Sequence, residues 1–338
     1  MIVVMQPNAN SKHIADVIHK VEDIGYRAHL SEGKERVVIG IVGESETSLQ
    51  EDLFENMPDV DKVVRISDSY KLASRTFKSE NTRFALGNKL VGGHSIPVIA
   101  GPCSVESREQ IIGTACALME LGATALRGGA YKPRTSPYSF QGHGVKALEW
   151  MAEAREITGL PIVTEVMDPI LVPVVAEYAD VLQIGARNMQ NFTIINAVGE
   201  SHHPVLLKRG MSASIKDLLM SAEYILSHGN NRVMLCERGI RTFETETRNT
   251  ADINAVPVLK HRTHLPVVFD PSHATGYREF VEPVTLAAIA AGCDALIIEV
   301  HKNPAEAMSD GRQSLSFEAF GQLMKNAKAV AQAVGRDV

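Results

Sequence analysis

Arg127, Lys132 and Arg134 fall within one stretch, residues 126–142, that also holds three glycines and two prolines and follows a short apolar run. Glycine lets the backbone approach a ligand closely, and proline fixes φ and so lowers the entropy lost on ordering. A loop of this kind suits a small anion such as a phosphate; ordinary solvated surface charge is the alternative. Three further cations stand just past other short apolar runs: Arg187 in Gly185-Ala186-Arg187-Asn188, Lys208 before Arg209-Gly210, and Arg238 in Glu237-Arg238-Gly239. One such cation would be met by an ion-pair partner. Six on a single rim need more than one anionic group, because buried cations without counter-charge are costly to keep. A phosphorylated or dianionic ligand is therefore expected.

Cys103, His273, Glu299 and Asp310 form a second set, of metal-ligand types. Taken singly, a cysteine in such a place is usually a small buried apolar side chain, and a lone carboxylate an arginine's partner. Cys103, His273 and Glu299 follow the first, seventh and eighth apolar runs, which are neighbours only if the sheet closes on itself. Mixed S, N and O donors with room for a substrate oxygen suit a borderline divalent ion: Mn, Fe, Co, Zn or Cu. His301 is a rival ligand, two residues beyond Glu299 on the same side of an extended chain.

The elements that must position these residues are read from periodicity. Strands are expected at 96–100, 123–127, 161–165, 180–184, 204–207, 232–236, 266–269 and 295–299, with helical patterns between them such as 110–121, 147–158, 215–227 and 284–291. Eight strands alternating with helices match a closed (β/α)8 barrel, whose active site lies where the strands end. A doubly wound open sheet is the alternative. No Walker loop or GxGxxG follows a strand. Residues 1–66 predict a compact βαββαβ, ferredoxin-like module: a strand at 2–5, a helix capped by Ser11 and closed by Gly25, strands at 28–30 and 37–42 joined through Ser31–Gly33, a helix over 48–56, and a last strand at 60–66. Residues 67–94 are expected to be a linker ending in a small hairpin, and 95–338 the barrel. The front module carries no cluster of catalytic types; His29 and Ser31, at a strand end, are candidates for a small-ligand site.

The 338 residues are 45% apolar and 22% charged, as in an ordinary globular protein. A formal charge of −6 argues against nucleic-acid or anionic-membrane partners. The absence of a long apolar run and of a basic start before an apolar one leaves the cytoplasm as the expected location. Cys103, Cys116, Cys236 and Cys293 are widely spaced, which favours free thiols over a disulfide framework.

Together Gly101–Ser104, Leu126–Ser136, Gln183–Asn188, Leu206–Gly210, Cys236–Arg241, Asp270–His273 and Glu299–His301 resemble 3-deoxy-D-arabino-heptulosonate 7-phosphate (DAHP) synthases, of the short-barrel type with an N-terminal ferredoxin-like domain. The resemblance runs through the whole barrel in order. It implies condensation of phosphoenolpyruvate with D-erythrose 4-phosphate, the entry to the shikimate pathway. It implies a divalent metal, manganese first, on Cys103, His273, Glu299 and Asp310. Arg187 and Arg238, beside Ala186, would bind the phosphate of phosphoenolpyruvate, with Arg127, Lys132 and Lys208 near its carboxylate. Arg134, Thr135 and Ser136 would take the aldose phosphate, and Glu165 would place the attacking water. A homotetramer and feedback control by tyrosine or phenylalanine through the front module, with His29 and Ser31 as contacts, are further family expectations.

Three rival readings stand beside this one. The first resembles 3-deoxy-D-manno-octulosonate 8-phosphate synthase, which takes a five-carbon aldose; Lys132-Pro133-Arg134-Thr135-Ser136 and the front module favour the four-carbon enzyme. The second is a Schiff-base aldolase using Lys208. The third is a sugar-phosphate sensor, which binds without turnover.

Overall fold

The computed structural model describes residues 1–32, 36–43, 50, 52–64, 69–132, 136 and 138–338. They form two compact units, 1–81 with 262–264, and 82–261 with 265–338.

In the first unit β1 (Ile2–Met5), β2 (Arg27–Glu32), β3 (Val37–Val42) and β4 (Val60–Val64) make an antiparallel sheet in the order β2-β3-β1-β4. With α1 (Ser11–Asp23) and the short α2 (Asp52–Glu55), this is the expected βαββαβ arrangement. Val17 and Val21, one turn apart on α1, are buried in the core that holds Val3, Met5, Ile39, Ile41 and Phe54. The helix cap is Asn10 rather than the expected Ser11: the Asn10 side chain accepts the Lys12 N–H at 2.9 Å, and Ser11 is the first helical residue. Gly25, at φ 83°, closes the helix as expected. Ser48, Leu49 and Glu51 of the predicted helix over 48–56, the far ends of the predicted turn after Ser31 and of the last strand, and Arg134 and Thr135 lie outside the described residues.

The other sheet face is covered by the segment 69–81. Ile2 pairs with Gly40, and a Cβ at Gly40 would come within 2.8 Å of the Phe77 ring. His264 Nε2 donates to the Leu72 carbonyl at 2.7 Å and so ties this segment down.

The second unit opens with a hairpin, β5 (Phe84–Leu86) and β6 (Lys89–Val91). Eight strands follow: β7 (Val98–Gly101), β8 (Ala125–Arg127), β9 (Ile162–Glu165), β10 (Val181–Ile184), β11 (Val205–Lys208), β12 (Val233–Glu237), β13 (Val267–Phe269) and β14 (Ala295–Glu299). All pair in parallel, and β14 pairs with β7 to close the barrel. Phe84, Leu86 and Val91 of the hairpin join the barrel interior, packing with one or two inward residues from every strand. No helix among the described residues is long and apolar enough to cross a membrane.

Some of the helices between strands start at a side-chain cap. Ser107 accepts the Gln110 N–H, and Ser214 and Asp217 form a reciprocal capping box. The helix expected over 284–291 instead spans Arg278–Ala290, with Pro283 inside it. Proline there forfeits a backbone hydrogen bond, but burial of Val281, Thr285, Ala288 and Ile289 along one face outweighs the loss.

Burial pushes His264 down from 6.5 to about 4, against the opposing hydrogen bond to Leu72. The unfolded chain therefore takes up this proton first, and stability is lost as the pH falls through 6.5 toward 4, by on the order of 3 kcal/mol. His264→Gln keeps a donor for the Leu72 carbonyl without titrating. It should flatten the acid limb of urea unfolding over that window; an unchanged limb would show that His264 is not its source.

Candidate active site

The alternation that fills the barrel also builds the site. Ala125, Val163, Val181, Leu206, Cys236, Val268 and Ile297 face the interior. Side chains on a strand repeat every second residue, so the next inward positions are Arg127, Glu165, Gln183, Lys208, Arg238, Asp270 and Glu299. Seven of the eight strands thus change from apolar to ionic or polar in one step at the C-terminal end, while β7 passes from Ile99 to Gly101. Five of these residues (Arg127, Glu165, Gln183, Lys208 and Arg238) line a cavity of about 340 Å³. Lys132, Ser136, Ala186, Arg187, His273 and Asp310, all expected site residues, line it too.

Asp270 is fully buried and organises one wall. It accepts the His273 backbone N–H at 2.9 Å, lies 2.7 Å from His273 Nδ1, and pairs with the Lys208 ammonium. Burial works to raise the Asp270 carboxyl, but His273 and Lys208 outweigh it and hold it well below the carboxylate range. The contact at Nδ1 turns His273 Nε2 toward Glu299 Oε1, 3.6 Å away. Burial lowers the His273 pKa, which favours the neutral form that can ligate.

Donor atoms of Cys103, Glu299 and Asp310 lie within 4.8 Å of one another, and the fourth expected ligand, His273, adjoins them through Glu299. His301 does not join them. Its Nδ1 accepts the Asn303 N–H at 3.1 Å and its Nε2 faces Glu106 at 3.3 Å, so both ring nitrogens are engaged elsewhere. Cys103 Sγ lies 3.2 Å from Asp310 Oδ2 and 3.0 Å from Lys132 Nζ. Burial, then the Glu299 charge, pushes the Cys103 thiol up to about 12. A Cβ at Gly129 would come within 2.7 Å of Lys132 Cδ, so a glycine there lets this lysine lie against Cys103. Glu299 Oε1 is buried without a hydrogen-bond donor, although the Arg127 guanidinium lies 3.0 Å away. A buried carboxylate oxygen left in this state, beside a thiol, a neutral imidazole and a second carboxylate, fits a divalent cation with mixed donors.

The cations differ in how they are balanced. Arg127 faces Glu299, Lys208 faces Asp270, and Lys132 donates to the Cys103 carbonyl at 2.9 Å. Arg187 and Arg238 have no carboxylate partner among the described residues; the hydrogen bond made by the Arg238 side chain is a 3.5 Å contact to the Gly239 carbonyl. Arg238 is 4% exposed, and burial pushes its guanidinium down. Arg248, Gln183 and Met211 also line the cavity and were not expected from sequence. Gln183 follows the inward alternation and could have been found that way. Arg248 lies in the polar stretch 241–250, where no period marks one residue above another.

His29 and Ser31 belong to the front unit, far along the chain from these residues. They sit two apart on β2 and so share a face. Ser31 lines a pocket of about 450 Å³ floored by Val4, Val38, Val64 and Phe77 and edged by Arg36, Lys62 and Lys78. His29 Nε2 is buried without a partner, and burial, aided by Arg27, lowers its pKa.

A closed (β/α)8 barrel with cations, carboxylates and a thiol gathered at its strand ends defines an enzyme acting on small anionic substrates. The comparisons with known proteins are more specific. Residues 76–334 match the DAHP synthetase I family and residues 1–68 the DAHP synthase ferredoxin-like domain. The chain belongs to the DAHP synthetase I family. It is 50% identical over 335 residues, 99% of each chain, to the phospho-2-dehydro-3-deoxyheptonate aldolase of Thermotoga maritima. The crystal structure of a DAHP synthase from that organism superposes with a TM-score of 0.80 at 49% identity, covering 100% of this chain and 98% of the other. A truncated form of the Thermotoga enzyme covers 80% of this chain and 99% of its own, with a TM-score of 0.75. A 2-dehydro-3-deoxyphosphooctonate aldolase of Caulobacter vibrioides is 33% identical over 256 residues, 70% of this chain and 88% of its own.

Arg238→Met should remove a buried charge that has no carboxylate partner. In the ligand-free protein it is expected to raise stability by about 1–2 kcal/mol, read as a higher thermal midpoint. Added inorganic phosphate should raise the midpoint of the unaltered chain and not that of the variant. A variant less stable than the parent would mean Arg238 is balanced internally.

Proposed function

We propose that this chain condenses phosphoenolpyruvate with D-erythrose 4-phosphate to give DAHP and phosphate. The observation that carries the reading is the pair Arg187 and Arg238, facing one cavity without carboxylate partners among the described residues. The Arg238 guanidinium is buried and Arg187 is exposed at the same cavity. Two unpaired guanidinium groups on one cavity, one of them buried, suit a dianion, and Arg suits phosphate through its fork of donors.

In this reading Arg187 and Arg238 hold the phosphate of phosphoenolpyruvate, while Arg127, Lys132 and Lys208 take its carboxylate. Arg134, Thr135 and Ser136 hold the aldose phosphate, which sets the aldehyde against carbon 3 of the enol. A divalent ion, manganese first and Fe, Co, Zn or Cu as alternatives, would be held by Cys103, His273, Glu299 and Asp310, and when bound it polarises the aldehyde carbonyl. Carbon 3 attacks the aldehyde carbon, and Lys132 is the candidate donor of a proton to its oxygen. Positive character then appears at carbon 2, where Glu165 orients a water and accepts its proton. Collapse of that tetrahedral centre breaks the bond to the phosphate oxygen and releases phosphate. Two phosphates and one carboxylate account for the number of cations, and holding both substrates in line supplies part of the rate.

The test is phosphate release from phosphoenolpyruvate with each aldose. Turnover is expected with erythrose 4-phosphate, and a chelator should cut it more than about a hundredfold, with recovery on adding manganese. Preference for arabinose 5-phosphate would assign the octulosonate reaction instead. Full activity in chelator with borohydride trapping on Lys208 would assign the Schiff-base reading.

We further propose that tyrosine or phenylalanine inhibits through the front unit. Support comes from the pocket edged by Ser31, whose floor is apolar and whose rim carries cations that suit an amino-acid carboxylate. His29→Ala with Ser31→Ala should weaken inhibition about tenfold, the scale of one or two lost hydrogen bonds, with uninhibited kcat unchanged. Inhibition that survives deletion of residues 1–66 overturns the proposal.

A further inference from the structure

Behind the two carboxylates at the mouth of the barrel lies a pair of side chains that neither the family reading nor the reaction uses. Arg248 Nη1 donates to Asp310 Oδ1 at 3.2 Å and to Gln313 Oε1 at 2.8 Å. Gln313, 2% exposed, donates its Nε2 to Glu299 Oε2 at 2.5 Å. We propose that Arg248 and Gln313 are positioning residues that occupy one oxygen of Asp310 and one of Glu299, leaving each carboxylate a single oxygen for a divalent cation.

The chemistry of the groups makes the arrangement one-directional. A guanidinium only donates, so it can face only the carbonyl oxygen of the Gln313 amide. The amide NH₂ is thereby turned toward Glu299. With Oε2 engaged, the remaining oxygen, Oε1, is the one that lies 3.6 Å from His273 Nε2 and lacks a hydrogen-bond donor. On the other carboxylate, Oδ1 is engaged by Arg248, and Oδ2 is the atom that lies 3.2 Å from Cys103 Sγ. The two oxygens not held by Arg248 or Gln313, Glu299 Oε1 beside Arg127 and His273 and Asp310 Oδ2 beside Cys103, therefore belong to the side of each carboxylate that faces the other donors.

The backbone holds the pair in place. The Arg248 N–H donates to the Thr275 carbonyl, and a Cβ at Gly276 would come within 2.3 Å of Arg248 Cβ, so the close passage of these two loops depends on a glycine at φ 76°. Asp310 itself is held at φ 50°, unusual for a residue with a side chain, and its carbonyl accepts the Gln313 N–H at 3.2 Å. On the opposite flank Glu106 accepts the Met308 N–H at 2.7 Å, and Ser104 and Ser309 share a 2.6 Å hydrogen bond. The loop that carries Asp310 is tied on both sides.

This inference rests on the reading that the chain binds a divalent ion, so that reading is measured first. The full chain, stripped by chelator and dialysed, is titrated with Mn²⁺ and with Co²⁺, and the Co²⁺ visible spectrum is recorded. Gln313→Leu and Arg248→Met are then compared, with the metal-free thermal midpoint as the control for folding. Loss of an outer hydrogen-bond partner to a ligating carboxylate typically weakens affinity 10- to 100-fold, so a loss of about that size is expected in both variants, with an altered Co²⁺ spectrum. The milder Gln313→Asn and Arg248→Lys keep the donors and should give intermediate affinities. Unchanged Mn²⁺ affinity and Co²⁺ spectrum in variants that fold would overturn the inference while leaving the metal reading intact. A raised KM for the phosphorylated substrates with unaltered metal affinity in Arg248→Met would also overturn it, making Arg248 a substrate ligand. No ion binding by the unaltered chain overturns the metal reading and this inference together.

Discussion

Closure of the barrel between β14 and β7 is the constraint on which the rest of the structure depends. Glu299 at the end of β14 pairs in register with Gly101 at the end of β7, and Cys103 follows two residues later. Residues almost two hundred positions apart become neighbours only through this pairing. An open sheet would leave β14 and β7 at opposite edges, with Glu299 and Cys103 unable to share a ligand. The same closure points every strand's last inward residue at one centre, so charges spread along the chain are concentrated in a small volume. Hydrophobic burial of the interior therefore sets the electrostatics of the mouth.

Concentrating ionic groups in this way is costly, and the structure offsets the cost unevenly. Asp270 and Glu299 are wholly buried, each matched by a cation and approached by His273. Arg238 is buried as deeply and lacks such a match among the described residues. Natural folds keep groups of this kind at functional sites and tolerate the instability. The most expensive residues mark where binding energy is to be found.

Much of this was legible in the sequence. The eight strands appear within two residues of their expected bounds, because short β-branched and aliphatic runs bounded by turn residues leave little choice. The rim residues Arg127, Arg187, Lys208 and Arg238 follow those runs directly and were found for the same reason. His301 could not be separated from His273 by spacing alone; which imidazole turns inward depends on Asp270 and Glu106, partners from other strands and loops. Arg248 and Gln313 were invisible because their roles come from contacts between loops with no sequence period. The helix starting at Arg278 was misread at Pro283, where tertiary burial outweighs a local breaker.

The hairpin β5–β6 has a consequence for traffic through the enzyme. Phe84, Leu86 and Val91 stopper the end of the barrel opposite the charged rim. With that end filled among the described residues, reactants and products share the doorway at the charged rim. Turnover is then a matter of taking turns, with every departing molecule contending for the same threshold as its successors.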